Sequence, residues 1–139
     1  MKDIVKARIE DLEKIVEIDS EVIGNKSRQN YIQNAIECGR CIVAIEENSI
    51  VGFLTYDTNF FDCAFMSLII VSPSKRRKGY ASYMMDYMVN ISPTPKIFSS
   101  TNRSNDPMQQ VFESNGFVQS GIIENLDEGD PEIVYFKSK

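Results

Sequence analysis

The stretch Ala64-Phe65-Met66-Ser67-Leu68-Ile69-Ile70-Val71 is almost wholly apolar and stops at Ser72-Pro73. Such a run is expected of a central strand buried on both faces. A basic turn, Ser74-Lys75-Arg76-Arg77-Lys78-Gly79, follows it, and then Tyr80, Tyr83, Met84, Tyr87 and Met88 recur at helical spacing. A buried strand running through a short turn into an amphipathic helix commits the chain to a sheet with helices packed on it, because both strand faces must be covered. The tyrosines and methionines of that helix read as its core face, with the tyrosine hydroxyls reaching the rim.

The flanking segments alternate. Ile4 to Arg8 reads as a strand, and Asp11 to Ser20 as a helix with Leu12, Ile15 and Val16 on one stripe. Gly24-Asn25-Lys26 breaks the pattern; Ser27 is a candidate N-cap, and Tyr31, Ile32, Ala35 and Ile36 form a second stripe ending at Gly39. Cys41 to Ile45 and Ile50 to Tyr56 flank Glu46-Glu47-Asn48-Ser49 and read as a hairpin. Lys96 to Thr101 is a short strand. Asp106 reads as the cap and Pro107 as the start of a helix through Val111 and Phe112, closed by Asn115-Gly116. Phe117 to Ile123 and Ile133 to Lys137 are two more strands around an acidic loop. The order β-α-α-β-β-β-α-β-α-β-β predicts a mixed α/β sheet. With no linker and no repeat, residues 1–139 read as a single domain.

Composition narrows the chemistry. The chain has no histidine, which removes the Ser-His-Asp and Cys-His triads, the HExxH motif and Cys/His zinc fingers. A net charge of −5 disfavours a general nucleic-acid binder. No apolar run approaches the roughly 20 residues of a spanning helix, and Met1 to Arg8 shows no apolar leader core. Three cysteines, an odd count, suit a reducing compartment. A cytoplasmic protein without metal, nucleic-acid or membrane partner is expected. Cys38-Gly39-Arg40-Cys41 is a CxxC, but it ends a helix instead of opening one, so incidental cysteines around a Gly cap are the reading preferred over redox or zinc chemistry.

The basic turn is where chemistry concentrates. Ligands of open α/β sheets tend to bind at the carboxyl ends of strands. A helix N-terminus offers unpaired N–H groups and about half a positive charge. Gly79 allows close backbone approach, and the adjacent cations make a local positive well in an acidic chain. These parts suit a phosphate or pyrophosphate. Neither GxxxxGK[ST] nor GxGxxG occurs.

Arg76-Arg77-Lys78-Gly79-Tyr80-Ala81 resembles the R/Q-x-x-G-x-G/A signature of the GNAT superfamily of acyl-CoA-dependent N-acetyltransferases, in which Val71-x-Pro73 is also typical. Asn105, seven residues before Phe112 and eleven before Gly116-Phe117, is similar to the family's N-x-x-A-x-x-x-Y-x-x-x-G-F pattern. The resemblance implies a mixed, mostly antiparallel sheet of about seven strands flanked by about four helices. It implies acetyl-CoA as co-substrate, with the backbone of Arg76, Arg77, Lys78, Gly79, Tyr80 and Ala81 on the pyrophosphate. Main-chain groups of Ile69, Ile70 and Val71 would meet the pantetheine arm, and Asn102 or Asn105 would hydrogen-bond it beside Phe112. The strands of Ala64 to Val71 and Lys96 to Thr101 would splay to form the acyl slot.

Two positions depart from that pattern. Met108 replaces a small Ala, and Phe112 stands where the family commonly has a Tyr that protonates the leaving thiolate. General acid catalysis is worth about 10²- to 10⁴-fold, yet a thiol of pKa about 8.5 leaves well as thiolate. Tyr83, Tyr87 and Ser114 are alternative hydroxyls. Deprotonating the acceptor is harder: an amine of pKa about 10.4 costs roughly 4–5 kcal/mol to neutralise at pH 7. The carboxylates considered for that step are Asp62, ahead of the central strand, and Glu128 in the loop Glu124 to Glu132, with Phe61, Asp127 and Asp130 as acceptor contacts. A cationic amine, of a small molecule or a peptide, is the expected acceptor, and a homodimer is left open. The rival readings are an acyl-CoA-binding sensor without turnover and, less favoured by the acidic balance, a small RNA-binding protein.

Overall fold

The computed structural model describes residues 3–139, so Met1 and Lys2 of the amino-terminal reading lie outside the described residues. Seven strands form one sheet in the order β1-β2-β3-β4-β5-β7-β6. They are β1 (Asp3–Lys6), β2 (Cys41–Glu46), β3 (Ser49–Phe60), β4 (Cys63–Val71), β5 (Lys96–Asn102), β6 (Val118–Ile123) and β7 (Glu132–Ser138). Among the described residues only β4 and β5 pair in parallel, as the intervening helical crossover dictates. The helices are α1 (Leu12–Ile23), α2 (Gln29–Glu37), α3 (Tyr80–Ile91) and α4 (Asp106–Ser114). The expected mixed, mostly antiparallel sheet with flanking helices is the observed fold.

Two apolar clusters hold helices to opposite faces. Ile15, Val16 and Ile18 of α1 and Ile32, Ala35 and Ile36 of α2 pack on Cys41, Val43 and Phe53. Met84, Met85 and Met88 of α3 and Phe112 of α4 pack on Leu54, Met66, Ile97 and Tyr135. The first cluster takes no residue from β5, β6 or β7, so that half of the sheet lacks a helical cover on one face. Asp19 is buried on α1 and is held bidentately by Arg28, with Nε–Oδ2 at 3.0 Å and Nη2–Oδ1 at 2.5 Å. This pair locks the entry of α2 against α1.

Several boundaries differ from the sequence expectation for identifiable reasons. β3 continues to Phe60 and turns back at Phe61-Asp62, both with positive φ (52° and 61°), so a second tight hairpin joins it to β4. The N-cap of α4 is Asn105, whose Oδ1 accepts from the Met108 N–H at 3.2 Å; Asp106 is the first helical residue. α2 starts after Arg28, because the Ser27 N–H is taken by Asn25 Oδ1 at 2.9 Å in a turn. β4, expected to be buried on both faces, is half-exposed from Ser67 onward, and that exposure marks the site.

Candidate functional site

β4 and β5 pair only over Ala64↔Ile97, Phe65↔Phe98 and Met66↔Ser99, after which they part. At the same point β4 bulges against its other neighbour: Thr55 faces Leu68 and Tyr56 faces Met66, leaving Ser67 without a cross-strand partner. The bulge bends β4 away from β5 and opens a gap of about 150 Å³ lined by Met66, Ser67, Ile69, Ser99, Ser100, Thr101, Asn105, Met108 and Phe112. Met66 and Phe112 belong to the α3/α4 core, whereas Ser67 bonds Tyr31 of α2 and Thr55 at 2.9 Å on the opposite side. The gap therefore passes through the sheet, and a ligand entering from the α3/α4 side can meet one arriving from the α1/α2 side.

The main chain along the gap is open. The Ser72 N–H donates to Val51 O at 2.8 Å, and by alternation Ile70 also points into β3, leaving Ile69 and Val71 facing the gap. Of the three residues predicted to offer main-chain groups, Ile70 thus has its bonds committed to β3. Ser99 Oγ donates to Met66 O at 2.8 Å and pins the point of divergence.

At the far end of β4, a 3-10 turn (Pro73–Lys75) leads into the basic loop, where Arg77 and Gly79 adopt left-handed φ of 65° and 83°. Among the described residues no hydrogen bond takes up the N–H groups of Arg77, Gly79, Ala81 or Ser82. Unpaired amides at the start of a helix are groups suited to an anion. A Cβ on Gly79 would stand 3.3 Å from the Tyr83 ring. Arg76 and Arg77 are exposed, and Arg76 Nε donates to Val71 O at 3.4 Å.

Glu46, at the end of β2, was not singled out in the sequence, where it is one of two glutamates in a turn. Its carboxylate accepts from Lys75 Nζ at 2.6 Å and from the Tyr80 hydroxyl, with Lys78 Nζ 3.7 Å away. Two of the loop's cations are therefore spent on holding the loop, and Arg76 and Arg77 are the ones turned outward. Hydrogen bonding from Lys75, then from Tyr80, lowers the Glu46 pKa to about 2, and the same contact pushes Tyr80 up to about 12. Because the folded pKa lies below the unfolded one, the clamp is complete above about pH 4.5 and is lost only as pH falls through about 2. An NMR titration of the Glu46 carboxyl should place its midpoint near 2, and Lys75→Met should move it up toward 4.5. An unmoved midpoint would mean that Lys75 is not what holds it.

The predicted acceptor residues separate in space. Asp62 sits in the β3–β4 turn, four residues before Met66, so about 13 Å of strand lies between it and the gap. Glu128 is exposed in the β6–β7 loop. Asp127 accepts from Asn102 Nδ2 at 2.8 Å, and Asp130 accepts from the Ser104 N–H and hydroxyl at 3.0 and 2.6 Å. These two carboxylates fasten the acidic loop to the end of β5, and Asn102 is spent on that loop while Asn105 lines the gap. The carboxylate that does adjoin the gap is Glu132: Ser100 Oγ donates to its Oε2 at 2.7 Å. In the sequence Glu132 is one carboxylate of the acidic run; the β5–β7 register, which pairs Asn102 with Glu132, is what brings it beside Ser100.

Phe112 is fully buried, stacked on Tyr135 at 4.8 Å and 5.7 Å from Phe117. Of the alternative hydroxyls, Tyr83, Tyr87 and Ser114 do not line the gap, and Ser114 Oγ donates back to Val111 O at 3.1 Å. Cys41 is buried, with its thiol pushed up to about 12 chiefly by desolvation, while Cys38 is exposed. A thiol held that high does not make the thiolate a redox pair needs. Among the described residues no group of three or more Cys, Asp or Glu side chains is placed to hold a metal ion. No helix among them is long and apolar enough to cross a membrane.

Comparison with known proteins gives a consistent picture. The family model described as acetyltransferase (GNAT) family matches residues 9–117. A crystal structure of an acetyltransferase of the GNAT family from Bacillus cereus ATCC 10987 is 65% identical, with a TM-score of 0.98, covering 100% of this chain and 98% of that one. Ard1 from Thermoplasma volcanium shares the fold at 18% identity and a TM-score of 0.85, covering 99% of this chain and 97% of that one. So does yncA from Salmonella typhimurium, solved with its cofactor acetyl-CoA, at 13% identity and a TM-score of 0.80, covering 99% of this chain and 93% of that one. Among curated proteins none matches.

Proposed function

The chain belongs to the acetyltransferase (GNAT) family, and from that premise we propose that it moves an acetyl group from acetyl-CoA to the primary amine of a small molecule or peptide, by direct attack within a ternary complex. The observation that carries this reading is the gap that pierces the sheet beyond the Met66–Ser99 pair, with an anion cradle at one end and open main chain between.

The residues present fit acetyl-CoA. The free amides of Arg77, Gly79, Ala81 and Ser82 match a diphosphate, with Arg76 and Arg77 neutralising its charge. Ile69 and Val71 offer the main-chain groups that an extended amide arm pairs with, as an added strand does. Asn105 and Met108 border the arm's path into the gap. Acetyl-CoA supplies the activated thioester carbonyl. The backbone at Ser67, freed by the bulge, is the donor we assign to the developing oxyanion; a fixed donor of that kind is worth about 3–4 kcal/mol. Positioning two reactants in one slot supplies the rest of the acceleration.

The amine reaches the gap from the α1/α2 face. The β6–β7 loop and the start of β7 carry Glu124, Asp127, Glu128, Asp130 and Glu132, a negative field that favours a cationic acceptor. Phe112 has no proton to give, so the sulfur departs as thiolate. This same absence favours a second reading, an acyl-CoA-binding module without turnover. A reducing cytoplasm suits either one.

A CoA-release assay across a panel of primary amines and peptides, run beside calorimetry of CoA binding, decides between them. The expected result is CoA binding together with amine-dependent release above the hydrolysis background. Binding with no turnover on any amine would favour the sensor; absence of CoA binding would remove both readings.

A further inference from the structure

We propose that the acceptor is a primary amine bearing an apolar group: the apolar group lies in the groove walled by Phe60, Phe98, Val134 and Ile123, and the ammonium sits at Ser100 and Glu132. This rests on the acetyltransferase reading and adds to it the class of amine.

The groove is an apolar feature that the fold leaves open. It encloses about 460 Å³ and is lined by Phe60, Phe61, Phe98, Ile122, Ile123 and Val134, with only Ser120 and Gly121 besides. Its aromatic rings run in series, with Phe61–Phe60 centroids at 5.1 Å, Phe60–Phe98 at 5.0 Å and Phe98–Phe136 at 5.3 Å. Phe61 is 86% exposed, and Ile123 is 42% exposed. The cause is architectural. α1 and α2 cover β2, β3 and β4 and stop, so the outward residues of β5 and β7 have no helix over them.

The groove is continuous with the gap. Ile97 and Ser99 face the α3/α4 core, so Phe98 and Ser100 share the opposite face, two residues apart, which is about 7 Å along the strand. Val134 is the cross-strand partner of Ser100, and Glu132 lies two residues from Val134 on the same face. One wall of the gap therefore carries a hydroxyl bonded to a carboxylate, and the apolar floor begins about 7 Å away.

That pairing of charge and apolar surface selects a class of molecule. Glu132 is half-buried, and its partner Ser100 lines the gap, while Asp127 and Asp130 are committed to Asn102 and Ser104. An ammonium at Ser100 and Glu132 has a counter-charge, and an apolar substituent on it is buried against the phenylalanines. A polyamine in the same pose would press a second cation onto apolar rings and lose its hydration. A small polar amine would leave the groove wet.

The test is the ratio of kcat/KM values at saturating acetyl-CoA for 2-phenylethylamine and hexylamine against spermidine and ethanolamine. The apolar amines should lead by about 10- to 100-fold, the usual worth of filling an apolar pocket. Ile123→Ser, on the exposed edge strand where folding is not at stake, should cut that lead at least threefold without changing the KM for acetyl-CoA. Phe98→Ser should erase most of it, and Glu132→Gln should lower kcat/KM for all four amines. Equal or better turnover of spermidine or ethanolamine would overturn the proposal while leaving acetyl transfer intact. Turnover of no amine by a protein that binds CoA would overturn the transfer reading and this one with it. Sedimentation supplies the remaining arm. If Ile123→Ser converts a dimer to a monomer and leaves the amine ratio unchanged, the groove is covered by a second copy and the proposal falls.

Discussion

Gly79→Val should raise the dissociation constant for CoA by at least about 100-fold, while the folded protein remains. Gly79 sits at φ 83°, a region that a β-branched residue enters only at a cost of about 1–3 kcal/mol. Its added carbons would also crowd the Tyr83 ring, already 3.3 Å from an ideal Cβ. The backbone relieves this by turning, and the amides of Arg77 and Gly79 turn with it. Hydrogen bonds to a charged group are worth about 1.5–3 kcal/mol each, so misaligning two of them removes about 3–6 kcal/mol, or two to four orders of magnitude in affinity. Arg76→Ala and Arg77→Ala should do less, about tenfold or under, because both side chains are exposed and screened. Their effect should fade at high salt, whereas that of Gly79→Val should persist. Calorimetry with CoA at two ionic strengths separates the two cases. If Gly79→Val still bound CoA within threefold of the native chain, the diphosphate would not be held at this helix start.

The elements were legible in the sequence because each rests on short-range pattern. The stripes of α1 and α2, the apolar run of β4 and the Pro-basic-Gly junction before α3 all lie where periodicity and turn chemistry put them. What was not legible depends on pairing between distant segments. Ser67 reads as one more residue of an apolar run; only its register against Thr55 and Tyr56 makes it a bulge. Glu46 reads as a hairpin-turn glutamate; only the packing of the β2–β3 turn beside the α3 entry makes it the clamp on Lys75 and Tyr80. The surroundings of the carboxylates depend on pairing in the same way. The sequence shows Asp62 near the central strand and Glu128 in a charge run, but only the β5–β7 register shows that Glu132 stands beside Ser100, and only the folded loop shows that Asp127 and Asp130 bond Asn102 and Ser104. The Phe112 departure was visible in the sequence. That its ring is also a keystone of the core was not.

Phe112→Ala should cost about 3–5 kcal/mol of stability, the range for deleting a fully buried phenylalanine. The ring is fully buried: it stacks on Tyr135 at 4.8 Å with planes 23° apart and meets Phe117 at 5.7 Å. Through these contacts α4 is held to β7 and to the turn that begins β6. The side chain also lines the gap, so the void left by Ala would join it and fill with water instead of collapsing. With an unfolding entropy of about 2.1 cal/mol/K per residue, a chain of this length should lose about 10–17 °C in Tm. Phe112→Leu, which keeps most of the volume, should lose less than half as much. The two roles of the ring separate in the readout. A purely structural ring would lower Tm and leave the KM for acetyl-CoA at 15 °C unchanged, whereas a ring that also walls the slot should raise that KM several-fold in Phe112→Ala even where the variant is fully folded. A scanning-calorimetry loss under about 1 kcal/mol would show that Phe112 does not anchor α4, and the placement of Asn105 and Met108 at the slot would then need another support.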